Sequence, residues 1–356
     1  MIEQYTTTNK YNFPQPTIDS ILPQRFFEQS IHSLKHVKCT SMQLSQQKQQ
    51  QNPTEPFLQL RPTPITLKQN HQETIVAAID TSTIKIGETT TGIIVAVRGA
   101  TTWKQNGAYK YTRLGPFIFH ITEANKKQLY NALEQAYFST SYGCLHQGAP
   151  SIMQIPTRIA SLLERWLQTM LAKTVKNGIL LFDGSLTCGT PETPPQRLRE
   201  ILLHARKNQT MVLAFSKATT LRANGLLITE QLPNNYDPPY LLETTGVHSK
   251  LPMMILGDVY VARLNKANLA FRLDIDREIP FEQRINAIQK LLGNDLYAQS
   301  YPETLRLSHI LCTFTANEVL AIKHFITRKH GIQIVNRPDM HKVLFGSYGF
   351  KGDVLA

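Results

Sequence analysis

Two short apolar runs in this chain end on the same kind of residue. Ile75-Val76-Ala77-Ala78-Ile79 runs into Asp80-Thr81-Ser82, and Gly178-Ile179-Leu180-Leu181-Phe182 runs into Asp183-Gly184-Ser185. A continuous apolar run of this length, closed by small polar residues, reads as a strand buried on both faces. In open α/β sheets, function collects at the strand ends. Two such strands side by side would bring Asp80 and Asp183 together at one rim. Like charges that close ionise cheaply only with a cation between them, and an all-oxygen cluster suits Mg²⁺ or Mn²⁺. The plainer alternative is that each acid caps the next helix or turn.

The rest of the pattern builds a sheet around these strands. Residues 17 to 38 carry Ile18, Ile21, Leu22, Phe26, Phe27, Ile31 and Leu34 at helical spacing. The Gln-rich stretch from Ser45 to Pro53 has nothing to bury and reads as a tether or exposed loop, so the helix before it docks on the main domain or on a second subunit. The compact part is expected to begin near residue 73, giving segments 1–72 and 73–356. Strands over 92–98 and 111–121, with a turn at Asn106-Gly107, make a three-strand antiparallel meander with the Asp80 strand. Helices follow over about 124–138 and 157–173, then the Asp183 strand, a helix over 195–207 that opens on prolines, and a strand over 211–215. A strand pair over 253–264 and 269–275, and helices near 280–292, 304–311 and 316–329, complete the chain. A meander followed by parallel strands alternating with helices is a mixed sheet with helices on its faces, the order of the ribonuclease H-like fold.

Composition narrows the partners. The 356 residues are 42% hydrophobic, enough to bury a substantial core, and the net charge of +12 points to an anionic partner, most often nucleic acid. No run of 18 apolar residues is present and Met1 to Pro14 is polar, so the expectation is a cytoplasmic protein without a spanning helix. Cys39, Cys144, Cys188 and Cys312 lack paired spacing and read as free thiols, neither a zinc site nor a disulfide frame.

Several motifs in order resemble the NurA nucleases of DNA-end processing over residues 73 to 312. They are Ile79-Asp80-Thr81-Ser82, the helix carrying Arg158 and Glu164, Leu181-Phe182-Asp183-Gly184-Ser185-Leu186, Phe215-Ser216-Lys217, Tyr260-Val261-Ala262-Arg263-Leu264, Phe271-Arg272, and Tyr301-Pro302 followed by His309. Thr81 stands where the family usually has glycine. The resemblance implies a manganese-dependent DNA nuclease, with Mg²⁺ as the other candidate ion and two ions in the site. It further implies 5′–3′ exonuclease and single-strand endonuclease action in end resection and repair, a hexameric HerA-type ATPase as partner, and a homodimer. Asp80, Glu164, Asp183 and His309 are then the implied metal ligands, and Lys217, Arg272 and Tyr301 the DNA contacts.

Read from the residues alone, other roles stay open. Glu164 could be a solvated acid on a helix face, His309 a satisfied core residue, and Lys217 a solvated strand end. Arg272 could pair with Asp274 or Asp276, and Tyr301 could stack on a base or pack under the His309 helix. Asp258, Asp274 and Asp276 match no site motif. A rival from another class is a catalytically silent ribonuclease H-like module that binds nucleic acid or docks to an ATPase.

Overall fold

The computed structural model describes residues 21–35, 58–138, 150–190, 193–223, 226–233, 235–247, 252–267, 269–298 and 300–335. Helix α1 spans Ile21–Lys35, and the meander is β1 (Val76–Glu88), β2 (Gly92–Gln105) and β3 (Ala108–Thr122). Helices α2 (Lys126–Phe138) and α3 (Ile155–Thr174) lead to β4 (Ile179–Asp183), then α4 (Pro195–Lys207) and β5 (Met211–Ser216). The chain continues through β6 (Tyr240–Thr245), β7 (Gly257–Arg263), β8 (Phe271–Asp276), α5 (Phe281–Asn294), α6 (Glu303–Cys312) and α7 (Ala316–His330).

These strands belong to one ten-stranded sheet in the order β6-β7-β8-β5-β4-β1-β2-β3, with Gln59–Leu60 and Ile65–Thr66 pairing against β6 at the edge. Pairs β1–β4 and β4–β5 are parallel, and the other ladders of the sheet are antiparallel. The stretch β3-β2-β1-β4-β5 has the ribonuclease H-like order anticipated from the sequence. The two-residue turn of the meander places Asn106 at φ 51° and Gly107 at φ 74°, the left-handed conformations that a tight hairpin matching strand twist demands.

The central strands are buried on both faces because their side chains alternate between two cores. Ala77, Ile79, Leu180 and Phe182 face α2, α3 and α4, while Val76, Ala78, Ile179 and Leu181 face α5 and α6. A third core packs α7 through Ile322 and Ile326 onto Ile94, Ala96 and Ile118. Among the described residues no helix is long and apolar enough to cross a membrane.

Two expectations change, and one left open is decided. Strand β1 does not stop at Asp80 but runs on to Glu88, because Thr81, Ser82, Thr83 and Ile84 pair with β2 and alternating β-branched residues favour extension. Asp80 therefore sits inside a strand, and only Asp183 ends one. The sheet also draws on residues before 73: Leu58 and Leu67 are buried, and the two edge strands come from this segment. Helix α1 docks on its own chain, where Phe26 is fully buried with ring centroids 5.7 Å from Phe117 and 6.2 Å from Phe119. Residues 17–20 and 36–38 of that predicted helix, and the Gln-rich stretch, lie outside the described residues.

Candidate metal centre

The last paired residues of β1 and β4 are Ile79 and Phe182, so Asp80 and Asp183 follow side by side on adjacent parallel strands. Both continue the alternation of Val76, Ala78, Ile179 and Leu181, which puts them on the face covered by α6. The chain turns sharply after Asp183: Gly184 sits at φ 106°, its N–H donates to Phe215 O at 2.8 Å, and its carbonyl accepts from Ser216 Oγ at 2.7 Å. That φ favours glycine, which explains the Asp-Gly pair.

Glu164 arrives from the opposite face on α3. Gln168, one turn on and fully buried, donates from Nε2 to Glu164 Oε1 at 2.9 Å, and Arg165 Nη1 donates to Gln168 Oε1 at 2.6 Å. Thr81 Oγ1 donates to Ala160 O at 3.3 Å, tying β1 to the same helix next to Asp80. Burial pushes the Glu164 carboxyl up to about 7; Arg165 opposes this, and the charges of Asp80 and Asp183 add to it. The Asp183 carboxyl is raised too, first by burial, with Lys217 pulling the other way and Asp80 adding to the rise. Three carboxylates thus feel one another at one rim.

His309 lies on α6 with Nδ1 2.6 Å from Asp80 Oδ2, and its side chain is 49% exposed. Such exposure removes the core-residue alternative. Lys217, just past the end of β5, holds Asp183 Oδ2 at 2.6 Å and lies 5.7 Å from the centre of the Tyr301 ring. Tyr301 is buried against Phe215 and Phe271, at 6.3 and 5.2 Å between centroids. A ring so enclosed packs in the core under α6 and offers no face to a base. Its hydroxyl is raised by burial and by the nearby Asp183 and Asp80 charges.

Arg272 also differs from the role first given to it. It is buried and binds Asp274 with two hydrogen bonds of 2.7 Å, which commits its fork to the interior. Asp274 in turn accepts the Leu186 N–H at 3.0 Å. The pair therefore anchors the loop that follows Asp183, and Arg272 is a support of the site, where the sequence reading had a DNA contact. Asp276 pairs with Arg206, and Asp258 with Arg277 and Arg284, away from the acid cluster.

Two neighbours were missed from sequence. Gln168 stands four residues after Glu164, the spacing at which helix side chains meet, and that was its available signal. Cys312 stands three residues after His309 and joins it beside Asp80. The donor set of carboxylate oxygens and one imidazole nitrogen fits Mn²⁺ or Mg²⁺, and an added cation would offset the burial, and the repulsion from Asp80 and Asp183, that raise Glu164.

No protein-family model matches the sequence, and no curated protein matches it. Solved structures are similar in overall arrangement. The NurA nuclease from Sulfolobus solfataricus is 14% identical, over 75% of this chain and 88% of that one, with a TM-score of 0.43. A second NurA crystal structure is 9% identical over 74% and 92%, with a TM-score of 0.38. An endonuclease V from Bacillus subtilis is 11% identical over 75% and 89%, with a TM-score of 0.33. Likenesses this distant say nothing about chemistry, and the fold reading stands on the strand order itself.

Proposed function

We propose that this protein is a divalent-metal-dependent deoxyribonuclease of the NurA kind. The observation that carries the reading is the convergence of Asp80, Asp183 and Glu164 at one sheet rim, with Glu164 pushed up to about 7. Raised carboxyls packed together are a recurrent mark of functional sites. Asp80, Asp183, Glu164 and His309 would hold Mn²⁺, with Mg²⁺ as the substitute, in a two-ion site. When bound, the ions lower the pKa of an attacking water and stabilise the leaving 3′-oxygen.

The chain's own groups supply the rest. Lys217, 41% exposed, bridges the site and solvent, and on entry of a phosphate it can exchange Asp183 for the phosphodiester oxygens. Such a contact positions the backbone without reading sequence. Gln168 holds the Glu164 carboxyl through its Nε2 hydrogen bond, and burial raises that carboxyl toward its neutral form, from which a bound cation would draw it. Asp80 orients the His309 ring through Nδ1. Processing of DNA ends as a 5′–3′ exonuclease and single-strand endonuclease, in the cytoplasm, as a homodimer with a HerA-type ATPase, belongs to the same proposal. It rests on the motif resemblance.

The test is degradation of linear DNA by the purified protein. Mn²⁺ should support it, EDTA should silence it, and Asp80→Asn or Asp183→Asn should abolish it with melting temperature unchanged or raised, since removing one crowded carboxylate relieves repulsion. DNA binding without cleavage under all metal conditions would favour the silent module instead.

A further inference from the structure

His309 and Cys312 lie three residues apart on α6 and so project from one side of the helix. A ligand atom from each of Asp80, His309 and Cys312 lies within 4.8 Å of the other two. The thiol is fully buried, and its Sγ donates weakly to His309 O of its own helix at 3.2 Å. A carboxylate, an imidazole and a sulfur are a ligand set for a borderline-soft cation. Mn²⁺ and Mg²⁺ have little use for sulfur, whereas zinc binds it well.

We propose that Asp80, His309 and Cys312 form a sulfur-bearing position for zinc, and that its occupancy withdraws Asp80 and His309 from the Mn²⁺ or Mg²⁺ site. As the zinc–sulfur bond forms, the thiol proton passes to solvent, with no redox change. Zinc is then an inhibitor that competes with the activating ion. The inhibition rests on the nuclease reading, whereas the binding does not. Cys188, the other free thiol among the described residues, is buried against Met254 O at 3.5 Å and serves as an internal control.

Cobalt(II) added to the full chain is the direct probe. One equivalent should give a near-ultraviolet thiolate-to-cobalt band that zinc removes, that Cys312→Ser abolishes and that Cys188→Ser leaves. Absence of the band from the wild-type protein, or its survival in Cys312→Ser, overturns the site. Should Cys312→Ser fail to fold, X-ray absorption at the zinc edge of the zinc-loaded wild-type protein reads the same question. A sulfur neighbour at about 2.3 Å is expected, and a shell of oxygen and nitrogen alone refutes the proposal. In cleavage assays, Cys312→Ser should need roughly tenfold more zinc for half-inhibition, and unchanged sensitivity would remove the inhibitory role. A protein that shows the band but never cuts DNA would refute the nuclease and leave the zinc site standing.

Discussion

Glu164 is the most informative single residue, because its carboxyl is raised to about 7 by burial and by Asp80 and Asp183. A raised acid stabilises the fold in its neutral form, below its unfolded value near 4.5, and that contribution is lost as pH rises through 7. In EDTA, the wild-type melting temperature should therefore fall between pH 5 and pH 8 more steeply than that of Glu164→Gln. Parallel curves would mean that Glu164 bears no such strain. Metal entry should release more protons at pH 6 than at pH 8, measurable by calorimetry in buffers of different ionisation enthalpy. Two basic residues separate equally cleanly. Arg272→Ala leaves the buried Asp274 unpaired and should cost about 3–5 kcal/mol of stability, without changing the salt dependence of DNA binding. Lys217→Ala should keep its melting temperature and weaken DNA binding. The reverse result for the pair would restore Arg272 as the contact. Sequence could not tell these two apart, because each is a basic residue at a strand and burial is what divides them.

At the scale of elements, periodicity located the helices of the site and strands β4 and β5 within a few residues, including α4 over 195–207. Long periodic segments carry their own signal. The short edge strands Gln59–Leu60 and Ile65–Thr66 and the Leu241-Leu242 core of β6 do not, since two or three apolar residues fix no period. The continuation of β1 past Asp80 was hidden because Thr-Ser-Thr reads equally as a turn. One device at this scale bears on the site. Arg98, 4% exposed, donates to Thr313 O just beyond α6 at 3.2 Å and to Glu318 at 2.8 Å, and stacks 4.2 Å from the Phe314 ring centre. Glu318 is also the reciprocal partner of Thr315 in the capping box of α7, and it accepts from Arg113. Burial acts to raise its carboxyl, but Arg98, the Thr315 N–H and Arg113 hold it down at about 2. Arg98→Ala should therefore cost about 1–3 kcal/mol and also weaken Mn²⁺ binding, because the end of the His309 helix loses its tether. A loss of stability with unchanged Mn²⁺ affinity would confine Arg98 to the scaffold.

For the whole molecule, the ribonuclease H-like order of the central strands was legible because each acid-bearing run fixes a parallel strand and each short link fixes an antiparallel one. The docking of α1 was only half legible. Its apolar face announced a partner, but not that Phe117 and Phe119 of the same chain provide it. Phe26→Ala should thus destabilise the fold itself, by about 3–5 kcal/mol, and a purely associative role would leave the melting temperature intact. The net charge of +12 fits a DNA substrate but places no contact by itself. The central claim is that Asp80 and Asp183 share a divalent ion. Anomalous scattering from a crystal soaked in Mn²⁺ tests it most directly. The account predicts manganese density between the two carboxylates, with Glu164 and His309 around it and Lys217 released from Asp183. Manganese density absent from that rim, with the Lys217–Asp183 pair still closed in a crystal whose protein cuts DNA, would contradict it.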